Sequence, residues 1–333
     1  MTAAATIAHG GRLDAARRDF PHAPQPWVDL STGINPRAFP LPALAAETWT
    51  RLPDEAAFAA LGGAARAAYH APSYIDIIPG AGAQAFIQII PRLNAARCVA
   101  VLGFTYAEHA ACWAASGADV RVVETLEALA DFDAAVIVNP NNPDGRIVAP
   151  ETLAALGRDM SRKGSLLIVD ESFMDFTSAQ SVVPLMGEGM IVLRSLGKAY
   201  GLAGLRLGFA LCAGAQAASM RAALGPWAVS GPALAIGAQA LADAAWRETA
   251  AAVCARDAAR LDALLAKAGF EACGGTSLFR LVRHPQAAQW FAQLCDNGVL
   301  TRPFAERPEW LRFGLPGAEA EWRRLSAALE NGL

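Results

Sequence analysis

One lysine in this chain has the surroundings that Schiff-base chemistry needs. Lys198 is one of only three lysines among 28 basic residues, and it follows an apolar run in the segment Ser195-Leu-Gly-Lys198. An apolar, glycine-dense setting favours the neutral amine, which is the form that attacks a carbonyl carbon. Ser195 and Arg206 flank the lysine with a hydroxyl donor and a fixed cation, both suited to a phosphate monoester. The alternative is a surface lysine in a loop, and this motif alone leaves both interpretations open.

Two further polar motifs stand at the ends of apolar runs. Asp170 lies in Val169-Asp170-Glu171-Ser172-Phe173, and strand ends are where open α/β sheets bind ligands. A carboxylate there can hold a ring nitrogen in its protonated form, although a helix cap or a surface group is the commoner role. The second motif, Asn139-Pro-Asn-Asn142-Pro-Asp-Gly145, predicts a tight turn from which Asn side chains project donors. A plain strand-to-helix turn would need fewer constrained residues.

A glycine-rich stretch predicts a site for a phosphate group. The run Gly80-Ala-Gly82-Ala-Gln84 precedes an apolar helix at 85–90, and glycines that open a helix present backbone N–H groups to a phosphate. The run also matches the dinucleotide pattern G-x-G-x-x-[G/A]. That pattern needs an acidic residue about 20 positions downstream to hold a ribose, and the next acid after Asp76 is Glu108. The dinucleotide interpretation is therefore disfavoured.

Three other residues are candidates for ligand contacts. Tyr106 follows an apolar run and would stack on a planar ring, or else pack as a core aromatic. Arg302 and Arg312 each follow apolar residues, and as a pair they suit an anionic substrate, whereas singly they would pass as surface arginines. The sequence contains no H-E-x-x-H, G-x-S-x-G or Walker motif and no C-x-x-C pair. No metal site is therefore expected.

The elements that must position these residues follow an alternating pattern. Between residues 98 and 211, short apolar runs alternate with helix-length segments. Continuously apolar runs are typical of parallel strands covered on both faces, so we expect an α/β fold with a mostly parallel central sheet. After about residue 240 the pattern changes to one long helix followed by shorter strands and helices, as in a smaller α+β domain. The expected division is an N-terminal arm at 1–45, a large domain at 46–240 and a small domain at 241–333.

Composition excludes several classes of protein. The chain has 333 residues, of which 54% are hydrophobic and 18% charged, so it is not a disordered chain. Its net charge of −3 and lack of a basic run give no support for nucleic-acid binding. The uncharged stretch Ala222–Ala242 is rich in Ala, Gly and Pro, which predicts a buried loop and helix rather than a membrane span. With no targeting signal and scattered cysteines, a cytoplasmic protein with reduced thiols is expected.

Taken in chain order, these motifs resemble the fold-type I pyridoxal-phosphate enzymes of the aspartate aminotransferase superfamily, over nearly the whole chain. The order is phosphate loop, ring aromatic, N-P-N-N-P-x-G, D-E-x-[YF], S-x-x-K, R-x-G and C-terminal Arg. The resemblance implies that Lys198 binds pyridoxal 5'-phosphate covalently, that Asp170 pairs with the pyridinium nitrogen and that Asn142 pairs with the ring hydroxyl. It also implies that Tyr106 stacks on the ring. The residues implied to hold the phosphate are Gly82, Ala83, Gln84, Ser195 and Arg206.

The opening of the chain resembles one group within that superfamily. Ala8-His9-Gly10-Gly11 and Asp29-Leu-Ser-Thr-Gly-Ile-Asn35-Pro36 are similar to the decarboxylases that act on L-threonine O-3-phosphate in cobalamin biosynthesis. Phe173 and the segment Pro226-Trp227-Ala-Val-Ser230 agree with that group, because most aminotransferases carry Tyr in place of Phe173. Two positions depart from the pattern. Leu52 stands where relatives place a Tyr that reaches the neighbouring subunit's cofactor phosphate, and Asp144 replaces the usual Thr.

The resemblance implies a reaction, a substrate site and an assembly. The reaction is pyridoxal-phosphate-dependent decarboxylation of a small phosphorylated amino acid to CO2 and (R)-1-aminopropan-2-yl phosphate. The alternative is an aminotransferase for a phosphorylated amino compound such as histidinol phosphate, and a third hypothesis is a non-catalytic regulator that binds the cofactor. A homodimer is implied because active sites of this fold are clefts completed by the partner subunit. The implied substrate contacts are His9, Gly10, Asn35, Arg302 and Arg312.

Overall fold

The computed structural model describes residues 9–332. Its contacts divide the chain into two compact units. The large unit comprises Ala38–Asn142 and Arg146–Thr249, and the small unit comprises the chain up to Arg37, Pro143–Gly145 and Ala250–Leu333. The division into arm, large domain and small domain expected from the sequence stays a prediction, and the contacts group residues 9–37 with the C-terminal part of the chain.

The described residues form helices and strands in alternation through most of the large unit. The α-helices are α1 (Leu13–Asp19), α2 (Glu47–Thr50), α3 (Glu55–Tyr69), α4 (Ala83–Leu93), α5 (Glu108–Ala115), α6 (Pro150–Arg162), α7 (Gly214–Leu224), α8 (Gly231–Ala242), α9 (Ala244–Lys267), α10 (Ala287–Asp296) and α11 (Glu319–Glu330). The β-strands are β1 (Val28–Asp29), β2 (Asp76–Gly80), β3 (Cys98–Leu102), β4 (Asp119–Val123), β5 (Ala134–Val138), β6 (Leu166–Asp170), β7 (Met190–Ser195), β8 (Gly208–Cys212), β9 (Glu271–Thr276), β10 (Phe279–Arg283), β11 (Val299–Leu300), β12 (Arg302–Phe304) and β13 (Arg307–Gly314).

A seven-stranded sheet forms the centre of the large unit. Its strand order is β2-β8-β7-β6-β5-β3-β4, and only β8 runs antiparallel to its neighbours. The strands β5 and β6 are buried along their whole length because helices cover both faces, as their continuous apolar sequence predicts. The α/β class with a mostly parallel sheet is therefore confirmed.

The strand ends that carry the chemical motifs meet at one edge of this sheet. The register pairs Val138 with Asp170 across β5 and β6, and it places Gly208 between Ser195 of β7 and Gly80 of β2. Because β8 is antiparallel to both β7 and β2, the ends of those two strands point the same way as the ends of β5 and β6. The phosphate loop, the Asn turn, the Asp motif and the Lys motif thus all begin at the same edge.

Helices α4 and α5 pack on the sheet through apolar side chains. Phe86, Ile90 and Trp113 belong to a buried cluster that includes residues from β2, β3, β5, β6, β7 and β8. The uncharged stretch predicted as a buried loop and helix forms the end of α7, a loop and α8. The helix α8 is largely buried, but residues 225–227 of the loop are exposed, so the prediction was wrong for the loop. None of the described helices is long and apolar enough to cross a membrane.

The small unit contains an antiparallel sheet, β12-β13-β10-β9, with α9, α10 and α11. In the N-terminal segment, Val28 and Leu30 are buried and β1 pairs in parallel with β11. The long helix predicted from residue 241 begins at Ala244 instead. Asp243 interrupts it because its carboxylate accepts a hydrogen bond from the backbone N–H of Trp246, which caps the new helix.

Candidate active site

The glycine loop after β2 forms a cradle for an anion. Gly82 has φ +80°, a conformation that favours glycine, and no side chain caps the start of α4. A Cβ on Gly82 would lie 2.7 Å from a terminal nitrogen of Arg206, and a Cβ on Gly208 would clash with the backbone nitrogen of Ala83. An uncapped helix start beside a guanidinium is an arrangement that binds phosphate groups.

The other residues predicted to bind the phosphate lie at the same place. Ser195 ends β7 and pairs in register with Gly208, and its side chain is largely buried. Gln84 is the second residue of α4 and is fixed by two hydrogen bonds, since its amide donates to Glu108 Oε2 (2.9 Å) and its oxygen accepts from Tyr106 (3.1 Å). The structure therefore brings the predicted phosphate residues together, and their binding of a phosphate stays a prediction.

Asp170 is a buried carboxylate with polar partners on both oxygens. Its Oδ2 lies 2.9 Å from His109 Nε2, and its Oδ1 accepts a hydrogen bond from the backbone N–H of Ser172 (2.9 Å). Burial acts to raise the pKa of Asp170, but the hydrogen bond and charge of His109, together with the bonds from Ser172, outweigh burial and lower that pKa. The carboxylate is thus ionised at neutral pH, as an acceptor for a protonated ring nitrogen must be.

His109 is a site residue that the sequence analysis did not single out. It lies in the first turn of α5, three residues after Tyr106, and is buried. The two rings meet edge to face with centroids 6.2 Å apart. The signal for His109 was its spacing from the ring aromatic, because residues three apart lie on one face of a helical turn.

Tyr106 is held as a neutral phenol. Burial raises its pKa strongly, and the charge of Glu108 adds to the effect. Because it is neutral, the hydroxyl can donate to Gln84, and this bond links the aromatic residue to the phosphate loop. Tyr106 is half-buried and also packs against the core cluster, so stacking on a ligand stays a prediction.

Lys198 lies in a buried turn that begins where β7 ends. Its neighbours Gly197 and Ala199 are buried while Lys198 itself is half-buried, which disfavours the surface-lysine interpretation. Its Nζ lies 5.4 Å from the centroid of the Phe173 ring. Phe173 follows β6 closely, so the amine and Asp170 approach the same edge of the sheet from adjacent strands.

The turn after β5 is fixed by two asparagines that the sequence analysis did not select. Asn139 makes two hydrogen bonds to the backbone of Val148, as acceptor from its N–H (2.8 Å) and as donor to its oxygen (3.2 Å). Asn141 donates to the backbone oxygen of Phe104 (3.1 Å) and accepts from the hydroxyl of Thr105 (2.6 Å). Asn142, the residue predicted to face the ring hydroxyl, is the half-buried residue that follows them.

Two arginines of the small unit face each other across a strand pair. Arg302 of β12 and Arg312 of β13 are direct partners in the antiparallel register. Burial lowers the pKa of Arg312 to about 10, and the charge of Arg302 adds to this effect. Like charges directly opposite each other are unfavourable, so a bound anion would stabilise this pair.

Of the N-terminal substrate candidates, Gly10 lies next to Ser31, a residue that Arg312 contacts. Arg312 Nη2 donates to the backbone oxygen of Ser31 (2.8 Å), and a Cβ on Gly10 would clash with that oxygen. The N–H of Gly11 donates to the Ser31 hydroxyl (2.7 Å). His9 is exposed at the start of the described chain, while Asn35 is buried and accepts from the N–H of the second residue after it (3.0 Å).

The residues of the large unit fit pyridoxal phosphate. The glycine cradle matches the phosphate, ionised Asp170 matches the ring nitrogen, Tyr106 supplies an aromatic face and Lys198 supplies the amine. Among residues 9–332, no group of three or more His, Cys, Asp or Glu side chains could hold a metal ion. This fold and this set of groups define a fold-type I pyridoxal-phosphate enzyme.

Comparison with known proteins identifies the family. The sequence profile of the aminotransferase class I and II family matches residues 37–329, and the chain belongs to that family. It is 44% identical over 329 residues to a threonine-phosphate decarboxylase of Sinorhizobium sp, covering 98% of each chain. It is 42% identical over 334 residues to the Pseudomonas aeruginosa protein of the same name, covering 97% of each chain.

A solved structure confirms the fold. The histidinol-phosphate aminotransferase of Sinorhizobium meliloti, in complex with pyridoxal-5'-phosphate, superposes with a TM-score of 0.83 at 20% identity, covering 99% of this chain and 95% of that one. Pyridoxal phosphate is the cofactor of the family. The roles of Lys198 and Asp170 toward this cofactor stay predictions.

Proposed function

We propose that this protein decarboxylates L-threonine O-3-phosphate with pyridoxal phosphate, giving CO2 and (R)-1-aminopropan-2-yl phosphate, as a step of cobalamin biosynthesis. The observation that carries the proposal is identity of 44% and 42%, over nearly the full length, to two proteins named threonine-phosphate decarboxylase. The geometry agrees with it, because the substrate carries a carboxylate and a phosphate and the small unit holds two guanidinium groups opposite each other.

Each side chain has a definite part in this reaction. When bound, pyridoxal phosphate supplies an electron sink that takes up the electron pair left as CO2 departs. Asp170 holds a proton at the ring nitrogen, and the Lys198 amine, once free, delivers a proton to the substrate Cα. Arg302 and Arg312 hold the anionic groups of the substrate. The C–C bond to the carboxylate breaks and a C–H bond forms at the same carbon, so the reaction needs no oxidant or reductant.

An aminotransferase would use the same cofactor residues. The outcome would depend on which bond of the substrate Cα, the one to the carboxylate or the one to hydrogen, the protein orients for cleavage. The solved histidinol-phosphate aminotransferase supports this second candidate less strongly, since at 20% identity it bears on the fold alone. The substrate-binding residues of the small unit would set the choice.

A paired assay tests the proposal. The protein loaded with cofactor is given threonine phosphate, threonine or histidinol phosphate, and both CO2 release and 2-oxoglutarate consumption are followed. We expect CO2 from threonine phosphate, much less from threonine, and little consumption of 2-oxoglutarate. Preference for histidinol phosphate with 2-oxoglutarate would replace the decarboxylase by the aminotransferase.

Arg312→Met and Arg302→Met are expected to reduce kcat/KM for threonine phosphate by about tenfold to a few hundredfold. Each hydrogen bond to a charged group contributes roughly 1.5–3 kcal/mol, and about 1.4 kcal/mol is a factor of ten. The control is Arg280→Met on the adjacent strand β10, whose guanidinium is bonded to Asp262 at 2.6 and 2.7 Å. Equal losses in the control and the two variants would contradict a substrate role.

The proposal includes a homodimer in the cytoplasm. The large apolar side chains that the large unit exposes include Trp49 and Leu52 at 67% and Trp227 at 56%, and exposed apolar groups of this size are typical of protein interfaces. All six cysteines are free, which fits a reducing compartment. Sedimentation at micromolar concentration is expected to give a dimer, and a fully active monomer would refute this part of the proposal.

A further inference from the structure

A buried group of charges lies behind the cofactor residues and has no part in the chemistry described so far. Arg194 is 1% exposed, and its guanidinium joins two buried carboxylates, Glu171 Oε2 at 2.8 Å and Asp175 Oδ1 at 2.5 Å. Its Cζ also lies 4.3 Å from the centroid of the Tyr69 ring. We call Arg194, Glu171 and Asp175 the rear triad.

The rear triad lies on the opposite face of the sheet from the Asp170 carboxylate. We call the sheet edge at which the Asp and Lys motifs begin the catalytic edge. Asp170 and Glu171 are consecutive, and the N–H of Glu171 still bonds to the β7 backbone at Leu193, so the chain is extended there. Alternate residues of an extended chain point to opposite faces of a sheet. Accordingly the Asp170 carboxylate contacts His109, whereas the Glu171 carboxylate contacts Arg194. Arg194 and Ser195 of β7 alternate in the same way.

Glu171 is held from several sides. Besides the guanidinium of Arg194, it accepts from the hydroxyl of Ser181 (2.6 Å) and from the N–H of Val182 (2.8 Å). Burial raises the pKa of Glu171, while Arg194 and these hydrogen bonds oppose the rise. The chain from β6 to Val182 is therefore anchored at its start and at its end by the same carboxylate.

Phe173 lies midway between the two carboxylates. Glu171 and Asp175 are each two residues from it, and one guanidinium binds both, so Arg194 closes a five-residue segment around Phe173. The ring of Phe173 is 7% exposed and is the aromatic group 5.4 Å from Lys198 Nζ. A shift of this segment would therefore displace two groups together: the Phe173 ring beside the Lys198 amine, and the carboxylate of Asp170.

We propose that Arg194 is a positioning residue, which sets the places of Asp170 and Phe173 relative to Lys198 by bridging Glu171 and Asp175 on the opposite face of the sheet. Stability alone gives a weaker account of the triad, because buried ion pairs are often replaceable by apolar groups without loss of stability. A planar guanidinium that binds two carboxylates fixes direction as well as distance. The inference rests on the proposed function only for its activity readout.

Arg194→Lys and Asp175→Asn test the proposal. Lysine keeps the charge but offers no planar fork, whereas the amide introduced by Asp175→Asn keeps an acceptor oxygen for Arg194. We expect Arg194→Lys to alter the near-visible circular dichroism of bound pyridoxal phosphate and to lower kcat by about ten- to a hundredfold, with KM changed by less than about threefold. Asp175→Asn should retain the wild-type dichroism and most of kcat.

Leu129→Ala is the control for stability. Leu129 is 0% exposed and precedes β5, so it lies at the edge of the sheet opposite the catalytic edge. Its cavity should lower Tm without changing the cofactor dichroism. Wild-type dichroism and kcat in Arg194→Lys, or an equal kcat loss in Leu129→Ala, would overturn the proposal. The dichroism is read without substrate, so it remains decisive even if the protein proves to be an aminotransferase.

Discussion

Lys198→Ala is expected to abolish the near-visible absorption band that pyridoxal phosphate gives when it is bound covalently, and to lower turnover by a factor of about 10³ or more. Lys198 is the amine at the catalytic edge of the large unit, half-buried beside Phe173, and it serves both for covalent attachment and for proton delivery to Cα. One substitution therefore removes two functions.

The matched control is Lys163→Ala. Lys163 is exposed, and its Nζ donates to the backbone oxygen of Ala130 at 2.8 Å, near the opposite end of the strands. We expect this variant to retain the absorption band and turnover within about twofold, as for a surface substitution. Full turnover in purified Lys198→Ala would refute the assignment of the amine.

The central strands were predictable because burial on both faces leaves a continuous apolar sequence. Strands β3 and β5 lie within the stretch from 98 to 211 in which alternating apolar runs predicted strands. Strand β2 was not predicted. It contains Pro79 and begins at Asp76, as an edge strand paired only with β8 can, so neither alternation nor a long apolar run marks it.

The site residues divide into those marked by their local sequence and those whose role depends on distant contacts. The places of Asp170, Asn142 and Lys198 in the fold were predictable, because each lies at the end of a strand or within four residues after it, where an open α/β sheet binds its ligand. Arg194 was not predictable, because its role depends on a contact with Glu171, which is 23 positions away in the sequence. For His109 the spacing from Tyr106 was the one available signal, and that spacing does not show the contact with Asp170, which is 61 positions away. Arg194 looks in the sequence like the polar end of a strand, and only its burial between two carboxylates distinguishes it.

Asp170→Asn is expected to lower kcat by about a hundredfold to a thousandfold, the range found when a preorganised electrostatic group is removed from an active site. The amide keeps the size of the side chain and its acceptor for the N–H of Ser172 but lacks the charge that holds a proton at the ring nitrogen. The pKa of Asp170 is already lowered, so the wild-type carboxylate stays ionised from about pH 6 to 9 and the loss should be constant across that range.

His109→Phe tests the ionisation of Asp170 while leaving the Asp170 side chain in place. Burial acts to raise the pKa of Asp170, and the largest opposing contributions come from His109, so that pKa should rise in the variant. Activity should then fall as the pH drops through the higher pKa, because the protonated acid no longer stabilises a protonated ring nitrogen.

The measurement is kcat against pH for wild type, His109→Phe and a control, Asp159→Asn. Asp159 is an exposed carboxylate of α6, so the control should behave as wild type. An Asp170→Asn variant with wild-type kcat, or a His109→Phe profile no more acid-sensitive than wild type, would show that this carboxylate does not control the ring nitrogen.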